Sequence, residues 1–302
     1  MRLALTGDDR IVVQQGQTGG YVDVSEAFSD IRYRSSRDRM PRVLAVLKER
    51  RSRIEELAGN GSPISVETLQ APVPRPPKLI AAFGNYREGT DRERQTQDMF
   101  LESPESVIGP EGTVILPNHP ATIFHHEAEL GLVVGTRAKD LPADERALEV
   151  LAGYTCAIDV SARGLGRMGP SRMGKSFDTF SPLGPVIVTT DEIGDPQNLR
   201  VTMEVNGELR QDYNTSDMEY SVVEVLSFIT GYMTLVPGDV LMCGTNHQGL
   251  GALQDGDRSV MTIEGIGTLA INVRDPQGRE WPRGIDEEMA NRQRTVGVSS
   301  GS

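Results

Sequence analysis

The chain has little of several things, and each shortage excludes something. It holds two cysteines in 302 residues. Two cysteines cannot build a disulfide framework, and both lie in apolar stretches, Cys156 in GYTCAIDV and Cys243 in DVLMCGT. They read as buried free thiols of a reducing compartment, so a cytoplasmic setting is expected. Neither they nor the four histidines show the spacing of a zinc site. No apolar run approaches the roughly 18 residues of a membrane-spanning helix. The opening MRLALTGDDR has no long apolar core and no cleavage site, so it does not read as a signal peptide. Basic residues are the minority: Lys and Arg number 31 against 43 Asp and Glu, for a formal net charge of −12. That balance excludes a general nucleic-acid binder, which needs a basic face, and a polybasic membrane anchor. There is no internal repeat, low-complexity tract or P-loop. The glycine-rich GLGRMG does not open a helix after a strand, so a nucleotide-binding fold is not expected.

What is present is an ordinary globular composition, 37% hydrophobic and 25% charged with 32 glycines, in a chain long enough for one large domain with a smaller partner. Residues 1–72 read as a small N-terminal α/β unit, with short strands in MRLAL and RIVVQQ. One amphipathic helix is expected over Pro41–Leu57, ended by Gly59-Asn60-Gly61. Five prolines between Pro63 and Pro77 mark a linker. Residues 78–282 then form the main domain, followed by a tail over 283–302. In that domain KLIAAFG, TVILP, IFHHEAELGLVVG, GYTCAIDV, GPVIVTT, LRVTMEVNGEL, DVLMCGT, SVMTIEGIG and GTLAINVRD read as strands. Helices are expected only near Asp144–Leu151 and Ser221–Tyr232. Long strands without regularly alternating helices indicate a mostly β, α+β architecture rather than a doubly wound sheet.

The segment richest in chemistry is His125-His126-Glu127-Ala128-Glu129-Leu130. In a strand, residues two apart share a face, so Glu127 and Glu129 project together while Ala128, Leu130 and Leu132 face the other way. His126 then points away from the glutamates. Side-by-side carboxylates repel, and burial raises their pKa unless a cation neutralises them. A hard divalent cation is the simplest remedy, and solvent exposure is the plain alternative. Asp159 ends the strand GYTCAIDV, in which Thr155, Ala157 and Asp159 share one face and Tyr154, Cys156 and Ile158 the other. It reads as a turn cap or a third ligand. Three carboxylates and water suit Mg²⁺ or Mn²⁺, with positions left for a chelating substrate.

In order and approximate spacing, HHEAELGLVVG, GYTCAIDVSAR, GKSFDTFSPLGPVIVT, VNGELRQDYNTSDM and LVPGDVLMCGT resemble the fumarylacetoacetate hydrolase family over roughly residues 78–275. The resemblance implies a mixed β-sandwich roll with the active site at its mouth, and a homodimer. It places Glu127, Glu129 and Asp159 at the ligand positions of a Mg²⁺ or Mn²⁺ site and Lys175 at the active-site lysine. Arg163 matches a position near the substrate, and Gln211 and Thr215 a polar pair after the NGE turn. Gly244 and Thr245 match a loop that contacts a substrate carboxylate. Without the resemblance, the same residues read as a surface lysine, an exposed ion pair and turn chemistry. Substrates of the family are typically 2-oxo or β-diketo acids. Such an acid offers a carboxylate oxygen and the adjacent keto oxygen to one cation, which as a Lewis acid stabilises an enolate.

One feature departs from the family. Its hydrolases usually carry a water-activating His three residues before a Glu, shortly after a GxNY segment. This chain has Gly84-Asn85-Tyr86, and the two expected positions hold Gly89 and Arg92. Residues Arg87–Glu102 read as a charged lid in which Glu88, Asp91 and Glu93 are solvated helix residues, each also open as a base. His247, two residues after Thr245, is the candidate to replace the missing pair, because an imidazole is suited to proton transfer near neutral pH. The leading functional expectation is C–C bond hydrolysis of an acylpyruvate-type acid. The alternatives are a dehydratase or lyase on 2-keto-3-deoxy sugar acids, a 2-oxo acid decarboxylase or tautomerase, and a non-catalytic binding protein on the same scaffold.

Overall fold

The computed structural model describes residues 1–165 and 172–295. Most of the GLGRMG stretch and the last seven residues of the expected tail lie outside them. The described residues form seventeen strands and four α-helices. In chain order these begin with β1 (Arg2–Leu5), β2 (Ile11–Gln14), β3 (Tyr21–Asp23), α1 (Ser36–Ala45), α2 (Arg51–Asn60), β4 (Leu79–Phe83) and β5 (Asp98–Glu102). There follow β6 (Val107–Ile108), β7 (Thr113–Ile115), β8 (Phe124–His125), β9 (Ala128–Val134), β10 (Leu151–Ile158), β11 (Ser161–Ala162) and β12 (Ser181–Val188). The chain continues through β13 (Arg200–Val205), β14 (Glu208–Asn214), α3 (Val222–Tyr232), β15 (Val240–Met242), β16 (Arg258–Ile263), β17 (Gly267–Arg274) and α4 (Glu287–Thr295). The mostly β, mixed architecture agrees with the sequence expectation.

The strands make a large sheet, ordered β3-β2-β1-β12-β10-β9-β15-β4-β5 with β6 beside β12, a second sheet ordered β14-β13-β16-β17-β7, and a small pair of β8 with β11. Alternation along the central strands sorts side chains onto two faces. Leu130, Leu132, Tyr154, Cys156 and Ile158 join Met203, Met261 and Leu269 of the second sheet and Leu226 of α3 in one buried cluster. Val133, Ala157, Ile187 and Met242, on the other face, join Val43, Leu44 and Ile54 of the N-terminal helices. The large sheet is therefore covered on both sides, which explains why β9, β10 and β15 read as continuous apolar runs. The N-terminal strands extend this sheet, through β1 pairing antiparallel with β12.

Local structure departs from expectation in four places. The single helix expected over Pro41–Leu57 is two helices with a turn between them; Leu47 in the turn and Ile54 in α2 are buried in the same cluster. The helix near Asp144–Leu151 is a 3-10 turn over Glu145–Val150, started by the Asp144 carboxylate accepting from the Arg146 N–H at 3.0 Å. The strand IFHHEAELGLVVG is interrupted at His126 and Glu127. The lid is not helical: residues 87–97 are irregular, and β5 then pairs with β4. The helix expected over Ser221–Tyr232 is α3, closed at its start by reciprocal Ser221–Glu224 capping bonds.

Candidate active site

Strand register assembles the carboxylates. β9 and β10 pair antiparallel with Glu129 opposite Ala157. The Asp159 N–H donates to the Glu127 carbonyl at 2.9 Å just past the strand ends. That pairing brings Glu127, Glu129 and Asp159 together at one end of the sheet, with one oxygen of each within 4.8 Å of the others. All three are buried, none more than 4% exposed. At an effective dielectric of about 20, two like charges at such a distance repel by roughly 3 kcal/mol. The cluster therefore demands cations.

Two come from the chain. Lys175, at the end of a short 3-10 turn (Arg172–Lys175), places its Nζ 2.6 Å from Glu127 Oε2 and also bonds Asp159 Oδ2. Arg163 bonds Glu127 Oε1. The consequences divide the triad. Burial would raise Glu127, but Lys175 and then Arg163 outweigh it and hold that carboxyl well below the usual range. Burial pushes Asp159 up to about 6 against the pull of Lys175. Burial, and next the charge of Asp159, drives Glu129 well above the usual range. Burial alone would lower the Lys175 ammonium, yet Asp159 and Glu127 beside it hold it above its ordinary value. Positive charge is thus in deficit around Glu129 and Asp159. Asp159 Oδ1 is buried without a hydrogen-bond partner among the described residues. An all-oxygen donor set with a deficit of positive charge and an orphaned ligand atom fits a hard divalent cation such as Mg²⁺ or Mn²⁺.

The loop after β15 supplies the facing wall. β15 pairs antiparallel with β9, and the Cys243 N–H donates to the Leu130 carbonyl at 3.0 Å, which carries the Gly244 N–H to 2.6 Å from Glu129 Oε2. Gly244 has φ +84°, and a Cβ there would lie 3.1 Å from that of Asn85. Both the left-handed turn and the close approach favour glycine. Gly244, Thr245 and His247 line a cavity of about 550 Å³ that Glu127, Glu129 and Lys175 also line.

His247 has a partner that sequence reasoning passed over. Glu88 is 3% exposed, not the solvated helix residue expected. Its Oε1 lies 2.6 Å from His247 Nδ1, while its Oε2 accepts from the His247 N–H at 2.8 Å and from Gln248 Nε2 at 2.9 Å. Glu88 and Gly89 are both left-handed, with φ 61° and 67°. This tight turn aims the Glu88 carboxylate inward, and it explains Gly89: a histidine there would sit in a conformation that L side chains rarely adopt. Asp217 ties the two loops, accepting from the Gly89 N–H at 3.2 Å and from Asn246 Nδ2 at 2.8 Å. Arg92, at the position expected for Glu, is an anchor whose Nη1 lies 2.7 Å from Glu219 Oε1.

Arg163 lines the cavity beside Lys175, as the sequence suggested. Gln211 and Thr215 are not among the lining residues. Gln211 Oε1 accepts from the Ala128 N–H at 3.2 Å and faces His126 Nδ1 at 3.1 Å. Its Nε2 donates to Thr245 Oγ1 at 2.8 Å, so it braces the loop from behind. Thr215 Oγ1 accepts from the Leu199 N–H and donates to the Pro196 carbonyl, each at 2.9 Å. Glu102, read as lid, is buried at the end of β5 and accepts from Ser181 Oγ at 3.2 Å. Both cysteines are free and buried. No helix among the described residues is long and apolar enough to cross a membrane.

Comparison with known proteins agrees with this geometry. Residues 78–274 match the family described as "Fumarylacetoacetate (FAA) hydrolase C-terminal". A maleylpyruvate hydrolase of Aquipseudomonas alcaligenes is 32% identical over 295 residues, 91% of this chain and 99% of that protein. The mitochondrial oxaloacetate tautomerase FAHD2B of Bos taurus is 37% identical over 225 residues, 70% of this chain and 71% of its own. The crystal structure of maleylpyruvate hydrolase from Sphingobium sp. SYK-6 in complex with manganese(II) ion and pyruvate superposes with a TM-score of 0.81 at 31% identity, over 91% of this chain and 99% of that one. With a family match over residues 78–274 and a relative that spans 91% of the chain, the chain belongs to the fumarylacetoacetate hydrolase family of enzymes.

Proposed function

We propose that the protein hydrolyses a C–C bond in an acylpyruvate-type 2-oxo acid, using Mg²⁺ or Mn²⁺ held by Glu127, Glu129 and Asp159. The observation that carries this reading is the convergence on one cavity of the triad's Glu127 and Glu129, the Lys175 ammonium and the Glu88-held His247. When bound, the cation would supply Lewis-acid polarisation of the 2-oxo group. The chain's own residues do the rest. Lys175 brings positive charge to the oxygen where negative charge develops. The Gly244–Thr245 loop receives the substrate carboxylate, with Gln211 fixing Thr245, Thr215 firming the backbone after β14, and Arg163 adding charge at the rim. Glu88 commits His247 Nδ1, which leaves Nε2 as the free nitrogen of a ring that lines the cavity. His247 takes a proton from water as the water oxygen adds to the distal keto carbon. The C–C bond then breaks, its electron pair passing to the 2-oxo acid as an enolate, and the imidazolium returns the proton to carbon.

A second reading, tautomerisation of a 2-oxo acid, is favoured by one observation: His247 and Lys175 line the same cavity, and moving one proton between carbon and oxygen needs no activated water. The deciding experiment loads the protein with Mn²⁺ and offers acylpyruvates, 2-keto-3-deoxy sugar acids and oxaloacetate, following enol absorbance in the ultraviolet and product mass. Hydrolysis requires loss of enol absorbance with two carboxylic acid products. Loss of absorbance without a change of mass assigns tautomerisation, and no turnover of any acid defeats both. We also propose a homodimer, and a cytoplasmic setting in keeping with two free buried thiols. Light scattering at the 33.0 kDa of one chain would contradict the dimer.

A further inference from the structure

The family match ends at residue 274, yet the cavity does not. Three residues of α4, Met289, Arg292 and Gln293, line it. The helix is fastened to the site at several points. Asp286 starts it, accepting from the Met289 N–H at 3.0 Å. The other oxygen of the same carboxylate lies 3.0 Å from His125 Nε2. His125 Nδ1 accepts from Arg163 Nε at 3.2 Å, and Arg163 bonds Glu127. An accepting Nδ1 leaves the proton on Nε2, directed at Asp286, so one unbroken chain of bonds runs from the start of α4 to a carboxylate of the triad. A second tie passes through Gln248, whose Nε2 donates both to the Ala290 carbonyl at 3.2 Å and to Glu88 at 2.9 Å. The Asp286 N–H also donates to the Leu250 carbonyl at 2.7 Å, and Met289 and Ala290 are buried. The helix is a built wall of the cavity.

The cations that line the cavity differ in one respect. Arg163 and Lys175 are committed to the triad, and Arg172 to Asp98. Arg292 has no carboxylate partner among the described residues; its bond is to Met289 Sδ at 3.0 Å. Phe83, Phe100 and Met289 add apolar surface to the same cavity. A cavity of about 550 Å³ is far larger than a three-carbon 2-oxo acid head group requires. We propose that α4 is the specificity element of the site, with Arg292 taking a second carboxylate at the far end of the substrate across the apolar surface. This inference rests on the 2-oxo acid reading and adds to it the residue of this chain that would choose among 2-oxo acids by their far end.

The experiment uses the full chain loaded with Mn²⁺ and measures binding of three probes by calorimetry: pyruvate, 2-oxohexanoate and 2-oxoadipate. The last two share a chain length and differ in the remote carboxylate. A hydrogen-bonded charge pair of this kind is worth roughly 10- to 100-fold in affinity. The wild-type protein should prefer 2-oxoadipate over 2-oxohexanoate by at least about tenfold. Arg292→Gln should bring that ratio to within about twofold while pyruvate and Mn²⁺ affinities stay unchanged. A wild-type protein without the preference, or an Arg292→Gln protein that keeps it, overturns this inference and leaves the functional reading standing. Failure of all three acids to bind the Mn²⁺-loaded wild type overturns that reading, and this inference with it.

Discussion

The two halves of the cavity are built by different means. At the carboxylate end, Glu129 lies in β9 and Glu127 and Asp159 at the adjoining ends of β9 and β10, so backbone register sets their spacing. At the other end, Glu88 and His247 come from separate loops, 159 residues apart in sequence. Side-chain bonds through Asp217 and Gln248 hold those loops in register. The first end is rigid because a sheet cannot move one residue without disturbing its ladder. The second is a constellation of individually replaceable contacts. Damage at the carboxylate end should therefore remove all chemistry, whereas damage at the loop end should remove proton transfer and leave cation and substrate binding intact.

The largest effect expected is from removing the cation. Chelation should abolish turnover, and Glu127→Ala should lose Mn²⁺ while keeping a native circular dichroism spectrum, because Lys175 keeps its bond to Asp159 and one fewer carboxylate repels within the triad. Full activity after exhaustive chelation would show that the two ends do not depend on the cation at all. Next comes Lys175→Met, which keeps the stem and removes the charge. The expected fall in kcat is about 10²- to 10³-fold with metal content unchanged. A change below about threefold would place Lys175 outside the chemistry and confine its role to neutralising Glu127 and Asp159.

This contrast also governs what could be read from the sequence. Glu127, Glu129 and Asp159 were singled out because period-two alternation groups Glu127 with Glu129 and leaves Asp159 at the end of an apolar strand; that these two strands pair is a finding of the structure. Lys175, Arg163 and the Gly244–Thr245 loop were legible only through family resemblance, since nothing local to GKSFDTF says that its lysine turns inward. Glu88 was not legible. Its burial depends on two successive left-handed residues in a segment whose charge density suggested a solvated helix, and on a histidine far along the chain. The cue was present in Gly89, a residue that permits the turn. The break in the strand at His126 and Glu127 was hidden for a similar reason. An apolar run with period-two alternation does not reveal where the chain leaves one ladder, β8 with β11, for another, β9 with β10.

The loop end gives the next prediction. His247→Gln keeps a polar side chain but cannot carry a proton; turnover should drop roughly 10²-fold, and the acidic limb of the pH–rate profile should disappear. Glu88→Gln keeps the shape of the side chain, but its amide oxygen must stay the acceptor for the His247 and Gln248 N–H groups, so its NH2 group turns toward His247 Nδ1 and the charge beside the ring is lost. A smaller loss than in His247→Gln, about tenfold, is expected. Calorimetry with pyruvate should show unchanged binding in both variants. If His247→Gln keeps both rate and profile, the loop end holds the cavity wall and nothing more, and tautomerisation with another proton carrier becomes the better reading.

The smallest effect on turnover is expected at Arg92, where family hydrolases usually carry a glutamate. Arg92 is 4% exposed at its side chain and Glu219 1%. Arg92 Nη2 also donates to the Tyr86 carbonyl at 2.6 Å, and Glu219 Oε1 accepts from the Gln95 N–H at 3.2 Å. The pair pins residues 86–95 over the cavity without touching the triad. Arg92→Met would strip the buried Glu219 carboxylate of its ion-pair partner, leaving only the weaker influence of Arg87 and Arg94, a change that costs about 3 kcal/mol in comparable sites. Burial already raises the Glu219 carboxyl, with Arg92 the main opposing influence, so the variant raises it further. The sign of the pH dependence follows. Below the unfolded-state value the carboxyl is protonated in both states and the penalty is small. As pH rises through that value the unfolded chain ionises first, and the variant loses stability relative to wild type. Denaturant titrations at pH 4 and pH 7 should therefore show the larger deficit at pH 7. Turnover of the folded variant should stay within about threefold of wild type. A 100-fold loss of kcat with stability unchanged would reverse the assignment and make Arg92 part of the chemistry.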